Sequence, residues 1–156
     1  MSREIEDRTA YVGALMRAGW QWVRARVYNG VLAAGYDDLN PAHVGLFRYP
    51  TLDGLRPTEI AERMQITKQS VHNLLTHLED RGYIERQPDP SSKRSRIVRL
   101  SLKGRRLERE VRSQARQAEE EIAATLGPRQ FAQLRDALEG LIPRLDAGSP
   151  PITKSS

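Results

Sequence analysis

Thr67, Lys68, Gln69, Ser70, His72, Asn73 and His77 bring two amides, two hydroxyls, an ammonium and two imidazoles into one short stretch of chain. Groups of this kind match base edges: an amide pairs bidentately with adenine, lysine reaches the acceptors of guanine, and hydroxyls serve bases or phosphates. Further along, Lys93, Arg94 and Arg96 open a run continued by Arg99, Lys103, Arg105 and Arg106, with no acid between Asp89 and Glu108. A guanidinium such as that of Arg94 is favoured in a narrow A·T minor groove, while Lys93 and Arg96 suit phosphates. The competing use of Arg94 is an ion pair with Asp89 across a turn, which at a surface contributes only about 0–1 kcal/mol. Catalytic and metal chemistry find no comparable set. His72 and His77 are five apart with only His43 besides, too few ligands for zinc. The chain has no cysteine, and neither a Ser–His–acid arrangement nor a glycine-rich phosphate loop emerges. No enzyme, metal or cofactor is expected.

These groups need a scaffold, and the neighbouring aliphatics supply it. Val71, Leu74, Leu75 and Leu78 recur at i, i+3, i+4 and i+7, predicting a helix that buries this stripe and turns the polar set outward. Thr67 is its N-cap and Gly82 its left-handed stop. Pro57 opens the preceding helix, with Ile60, Ala61 and Met64 on one face, and MQIT breaks it. Tyr83 to Gln87 reads as a strand, Pro88 to Ser92 as a turn and Arg96 to Ser101 as the return strand. The fold class is therefore mainly α with a small β-hairpin wing, a winged helix-turn-helix with flanking dimerisation helices.

The flanks are helical too. A first helix is predicted over about Arg8 to Ala34 from Val12, Leu15, Met16, Gly19, Val23 and Val27. Asn40-Pro41 opens a short second helix through Val44, Leu46 and Phe47, and Leu55-Arg56 adds a short strand. Ser101 caps a long helix bearing Leu107, Val111, Ala115, Ala118, Ile122 and Leu126. Gly127-Pro128 then starts a last one with Phe131, Leu134, Leu138, Leu141, Ile142 and Leu145, its final turn disturbed by Pro143. The domain reading is residues 1–50 as N-terminal dimerisation helices, 51–104 as the DNA-binding lobe, 105–146 as C-terminal dimerisation helices and 147–156 as a disordered tail. The long apolar stripes of the first and last two helices exceed what a compact winged helix uses, so a second copy is expected to cover them.

Charge follows the same division. The 156 residues carry a net +5 and a pI near 9.9. Residues 1–51 hold 6 basic and 5 acidic side chains, 52–106 hold 12 and 7, and 107–156 hold 7 and 8. The excess lies in the segment with the polar helix and the hairpin, as a polyanion partner requires. No apolar run approaches a membrane span, and MSREIEDRT alternates charges where a signal peptide needs apolar residues. A cytoplasmic, nucleoid-associated protein without membrane contact is expected.

The run PTEIAERMQITKQSVHNLLTHLEDRGYIERQPDPSSKRSRIVRLSLKG resembles the multiple-antibiotic-resistance-regulator (MarR) family of winged-helix repressors in order and spacing, and LNPAHVGLF looks like the family's second helix. The resemblance covers about residues 8–146. It implies a homodimeric transcription regulator, most simply a repressor, on double-stranded DNA with a roughly palindromic operator whose half-sites lie about 10 base pairs apart. It also implies relief by a small aromatic or phenolic acid. Trp20, Trp22, Arg24, Arg26, Tyr28, His43, Phe47 and Arg48 offer rings beside cations for such a ligand, with Trp22, Arg26, His43 and Phe47 as the leading candidates. One departure is Ser92, standing where the family commonly has an acid that holds the wing arginine. Two other readings remain open: an architectural protein that coats DNA without sequence preference, and a winged-helix module that binds another protein.

Overall fold

Capping and turn chemistry set the element boundaries. In the computed structural model, which describes residues 10–48 and 50–148, the elements are α1 (Val12–Ala33), α2 (Pro41–Leu46), α3 (Pro57–Met64), α4 (Lys68–Asp80), β1 (Ile84–Asp89), β2 (Ser92–Leu100), α5 (Leu102–Leu126) and α6 (Pro128–Gly148). Two compact units divide the chain, one through Ala118 and one from Glu119. The start expected for the first helix near Arg8 lies outside the described residues, as does the expected tail of residues 147–156 beyond its first two, Ala147 and Gly148, which belong to α6 instead.

Asn40 and His43 cap α2 reciprocally: the Asn40 carboxamide oxygen accepts from His43 N at 3.0 Å, and Asn40 N donates to His43 Nδ1 at 3.1 Å. This is a capping box with an imidazole in place of the usual Glu or Gln. Between α3 and α4, Gln65 adopts a left-handed φ of 54°, a conformation that costs a non-glycine residue roughly 1 kcal/mol or more. The tight turn of the MQIT segment depends on it. Ser101 caps α5 by accepting from Gly104 N at 3.0 Å and donates to Gly82 O at 2.5 Å. Gly104 cannot carry a side chain, because a Cβ there would lie 2.1 Å from Tyr83 O.

The core of the first unit forms around α4. Val71, Leu75 and Leu78 are fully buried with Phe47, Leu52, Ile60, Tyr83, Ile84, Val98 and Leu107. Leu74, expected in the same stripe, is only half-buried. At about 100° per residue it falls roughly 60° from Val71, on the side away from Leu75, at the edge of the apolar arc. Tyr83 donates to Asp38 Oδ1 at 2.7 Å, and His77 Nε2 lies 2.8 Å from Asp38 O. The His77 ring stacks on His43 at 4.2 Å. These contacts fasten the C-terminal half of α4 to the connection between α1 and α2.

β1 and β2 pair antiparallel from Ile84↔Leu100 to Pro88↔Arg96, then shift register so that Asp89 faces Ser92. The strands extend closer to the tip than the expected Tyr83–Gln87 and Arg96–Ser101, leaving Pro90-Ser91 as the turn. The bulge takes up the extra residues of β2, and Pro88 sits at the edge of a two-stranded sheet, where a missing N–H is tolerated. Leu55 does not form a regular strand. It joins the sheet at one point, with Gly54 N donating to Val98 O at 2.7 Å and Val98 N to Leu55 O at 2.8 Å.

In the second unit Arg135 bonds Glu119 and, at 3.0 Å, Glu139. α6 continues through Pro143 to Gly148, so the proline removes one backbone bond without ending the helix. Among the described residues no helix is long and apolar enough to cross a membrane.

Burial, reinforced by the stacked His77 and opposed by Asp38, lowers the His43 pKa from 6.5 to about 4. His43 is thus neutral when folded and protonated when unfolded below pH 6.5. Its stabilising contribution is complete above that pH and is lost as pH falls towards 4. Urea unfolding should show a loss of about 2 kcal/mol near pH 5 relative to neutral, and His43→Gln should flatten that dependence. Leu75→Ala should cost about 2–5 kcal/mol at neutral pH by the same measurement.

Candidate nucleic-acid interface

With Val71, Leu75 and Leu78 turned inward, helical periodicity points Gln69, Ser70, His72 and Asn73 away from the buried side of α4, and Thr67 and Lys68 are exposed at its start. Thr67 Oγ1 accepts from Ser70 N at 3.1 Å and lies 2.8 Å from Ser70 Oγ, so these hydroxyls cap the helix and support each other. Gln69 Nε2 donates to Asn73 Oδ1 at 3.0 Å. Lys68 and His72 extend from the same end. His77 does not join them, because its ring lies against His43 and Asp38 within the lobe.

The wing supplies cations. Lys93 and Arg94 are exposed at its tip, and Arg96 is exposed beside them while donating to Arg86 O at 3.2 Å. The ion pair between Arg94 and Asp89 considered from the sequence does not form. Arg56, at the N-terminus of α3, takes Asp89 instead, with Nε 2.5 Å from Oδ2, and also donates to Ser91 Oγ at 2.9 Å. Asp89 Oδ1 accepts from Ser91 N and Ser91 Oγ at 2.9 and 2.8 Å. These Ser91 bonds, with Arg56 adding to them, hold the Asp89 carboxyl down at about 2. Ser92 supports the backbone of the turn, accepting from Arg94 N at 3.4 Å. The Arg94 guanidinium has no side-chain partner among the described residues and extends towards solvent. Arg56 was missed in the sequence because its partner is 33 positions away; its place before Pro57 signals a helix start and nothing more.

A cavity of about 500 Å³ lies in the first unit, lined by Trp20, Val23 and Val27 of α1, Phe47 and Arg48 at the end of α2, and Val111, Arg112 and Ala115 of α5, among others. The Arg48 guanidinium sits 4.9 Å over the Trp20 ring and donates to Arg24 O at 3.4 Å. Its Nε is buried without a hydrogen-bond partner among the described residues. Burial, with Arg24 nearby, lowers the Arg48 pKa below the usual guanidinium range. Of the leading ligand candidates, Phe47 lines this cavity and Trp22, Arg26 and His43 do not. Trp22 lies about 200° around α1 from Trp20. Arg26 Nη1 and Nη2 reach Gln114 and Gln117 at 2.9 and 3.3 Å, and His43 is occupied by its cap and its stack. The periodicity linking Trp20 to Val23 and Val27 was the available signal for the lining face.

Comparisons with known proteins agree with this geometry. Residues 38–95 match the MarR family. The HTH-type transcriptional regulator PetP of Rhodobacter capsulatus is 33% identical over 89 residues, 57% of this chain and 54% of that protein, so the match spans about half the relative's length. A Mycobacterium tuberculosis MarR family protein solved in complex with salicylic acid is 28% identical, with 86% of this chain and 98% of that one covered at a TM-score of 0.65. The reduced form of MarR from E. coli superposes at 0.75 with 19% identity, over 87% of this chain and 99% of that one. The fold, mostly helical with a two-stranded antiparallel hairpin, matches the winged helix of these MarR structures.

Asp89→Asn should weaken the Arg56 contact by removing its charge. Amide hydrogen exchange is then expected to rise through residues 89–96 and stay unchanged in the buried part of α4. The wild-type wing should show the same loosening as pH falls from 3.8 towards 2, where the Asp89 carboxylate protonates.

Proposed function

The chain carries a MarR-family winged helix-turn-helix over residues 38–95, and on that footing we propose that it binds duplex DNA as a homodimer and represses transcription until a small aromatic acid releases it. The observation that carries this reading is the division of α4 into a fully buried aliphatic side and an exposed side bearing Lys68, Gln69, Ser70, His72 and Asn73. The exposed side enters the major groove. Backbone N–H groups at the start of α4 and the cations Lys93 and Arg96 meet phosphates, and Arg94 reaches the adjacent minor groove.

Two further features support the dimer and the effector. Tyr11, at the start of α1, and Val12, Leu15 and Met16 within it are exposed, and so are Leu134, Leu138, Leu141 and Leu145 of α6. A two-fold copy that covers such rows removes apolar surface from water and sets paired recognition helices against a palindromic operator. The cavity beside Trp20, Phe47 and Arg48 lies within the roughly 300–1,000 Å³ range of small-molecule sites. Rings next to a guanidinium suit a planar carboxylate, and the similar M. tuberculosis protein was solved with one, salicylic acid.

Binding to a site selected from random duplex DNA should weaken by orders of magnitude between about 50 and 200 mM salt. Arg94→Ala should lower affinity and reduce the slope of log affinity against log salt by about 2, one for each subunit, while sedimentation still reports a dimer. Salt-independent binding contradicts phosphate neutralisation. Random DNA competing as well as the selected site identifies an architectural protein instead, because a regulator should show a preference of roughly 10³ or more.

A further inference from the structure

The bond between Gln69 and Asn73 changes what the exposed side of α4 can recognise. An isolated amide on a helix surface turns freely and presents its oxygen or its NH2 in either direction. Here the two side chains, one helical turn apart, are joined at 3.0 Å, which restricts the torsions of both. The same end of the helix is braced by the Thr67–Ser70 hydroxyl contact at 2.8 Å. Both amides are exposed.

The inventory of groups left over is specific. Gln69 uses one N–H and Asn73 one lone pair of its oxygen on each other; each keeps its second N–H or lone pair, and the two groups left wholly free are the Gln69 carboxamide oxygen, an acceptor, and the Asn73 NH2, a donor. Turning both amides over exchanges the two roles and leaves one donor beside one acceptor. Among major-groove edges, adenine alone offers an adjacent acceptor, N7, and donor, the 6-amino group. Guanine offers two acceptors, cytosine a donor, and thymine an acceptor and a methyl group.

Resting on the DNA-binding reading above, we propose that Gln69 and Asn73 act as one composite reader of a single adenine in each half-site. The Asn73 NH2 donates to N7, and the Gln69 oxygen accepts from the 6-amino group. Neither side chain reads a base of its own. Because the bond between them exists before DNA arrives, less side-chain freedom is lost on binding than two independent amides would lose.

Coupling is the test. The full-length protein and its Gln69→Ala, Asn73→Ala and doubly substituted variants are each used to select sites from a duplex pool randomised over the operator. Affinities are then measured for the wild-type site and for the site with its A·T pair changed to G·C. The wild type should prefer adenine at one position per half-site by roughly tenfold to a hundredfold. Each single variant should lose that preference at that same position, and the double variant should lose no more than either. Effects at two different base pairs that add in the double variant, or a wild-type site without adenine, overturn the composite reader while leaving DNA binding intact. A wild-type protein that binds no duplex at about 50 mM salt overturns the DNA-binding reading and the composite reader with it. All four proteins should share one melting temperature, since both side chains are exposed and cap nothing.

Discussion

Burial of Val71, Leu75 and Leu78 is the constraint on which the rest of the structure depends. These side chains fix the rotation of α4 about its own axis, and that rotation decides which residues face solvent. Burying each contributes roughly 1.5–3 kcal/mol, far more than exposed contacts such as the Gln69–Asn73 bond or the Thr67–Ser70 contact. The polar side is therefore displayed by the apolar side. The exposed polar side can change in sequence without unfolding the lobe, while the aliphatic stripe cannot.

The wing obeys a different balance. Its base is held by the backbone ladder and by Val98, which also bonds Gly54 and Leu55. Its tip is held by polar contacts: Arg56 on Asp89 and Ser91, and Ser92 on the turn backbone. With Asp89 already bonded to Arg56, the guanidinium of Arg94 is left for another partner.

The sequence makes the backbone plan legible because that plan is written in short-range signals. Thr67, Pro57, Gly82 and Ser101 mark helix ends by local capping and turn chemistry, and the four-residue spacing of the aliphatics orients α4. Less legible is whatever depends on distant pairing. His77 resembles a polar reader in the sequence, and only the approach of Asp38 and His43 turns it inward. Arg56 and Asp89 meet across 33 positions. The cavity brings Trp20 of α1 together with Phe47 and Arg48 at the end of α2; of the sequence's leading candidates Trp22, Arg26, His43 and Phe47, only Phe47 lines it. Leu55 carries enough β character to suggest a strand, and with Gly54 it pairs only with Val98.

Asp38 gives the lobe a mechanical property. Its carboxylate receives Tyr83 and its carbonyl meets His77, so the segment leaving α1 grips both the far end of α4 and the residue before β1. A 13-residue helix is roughly 20 Å long at 1.5 Å per residue. A rigid tilt of a few degrees about its C-terminal end would carry the opposite tip through roughly an ångström.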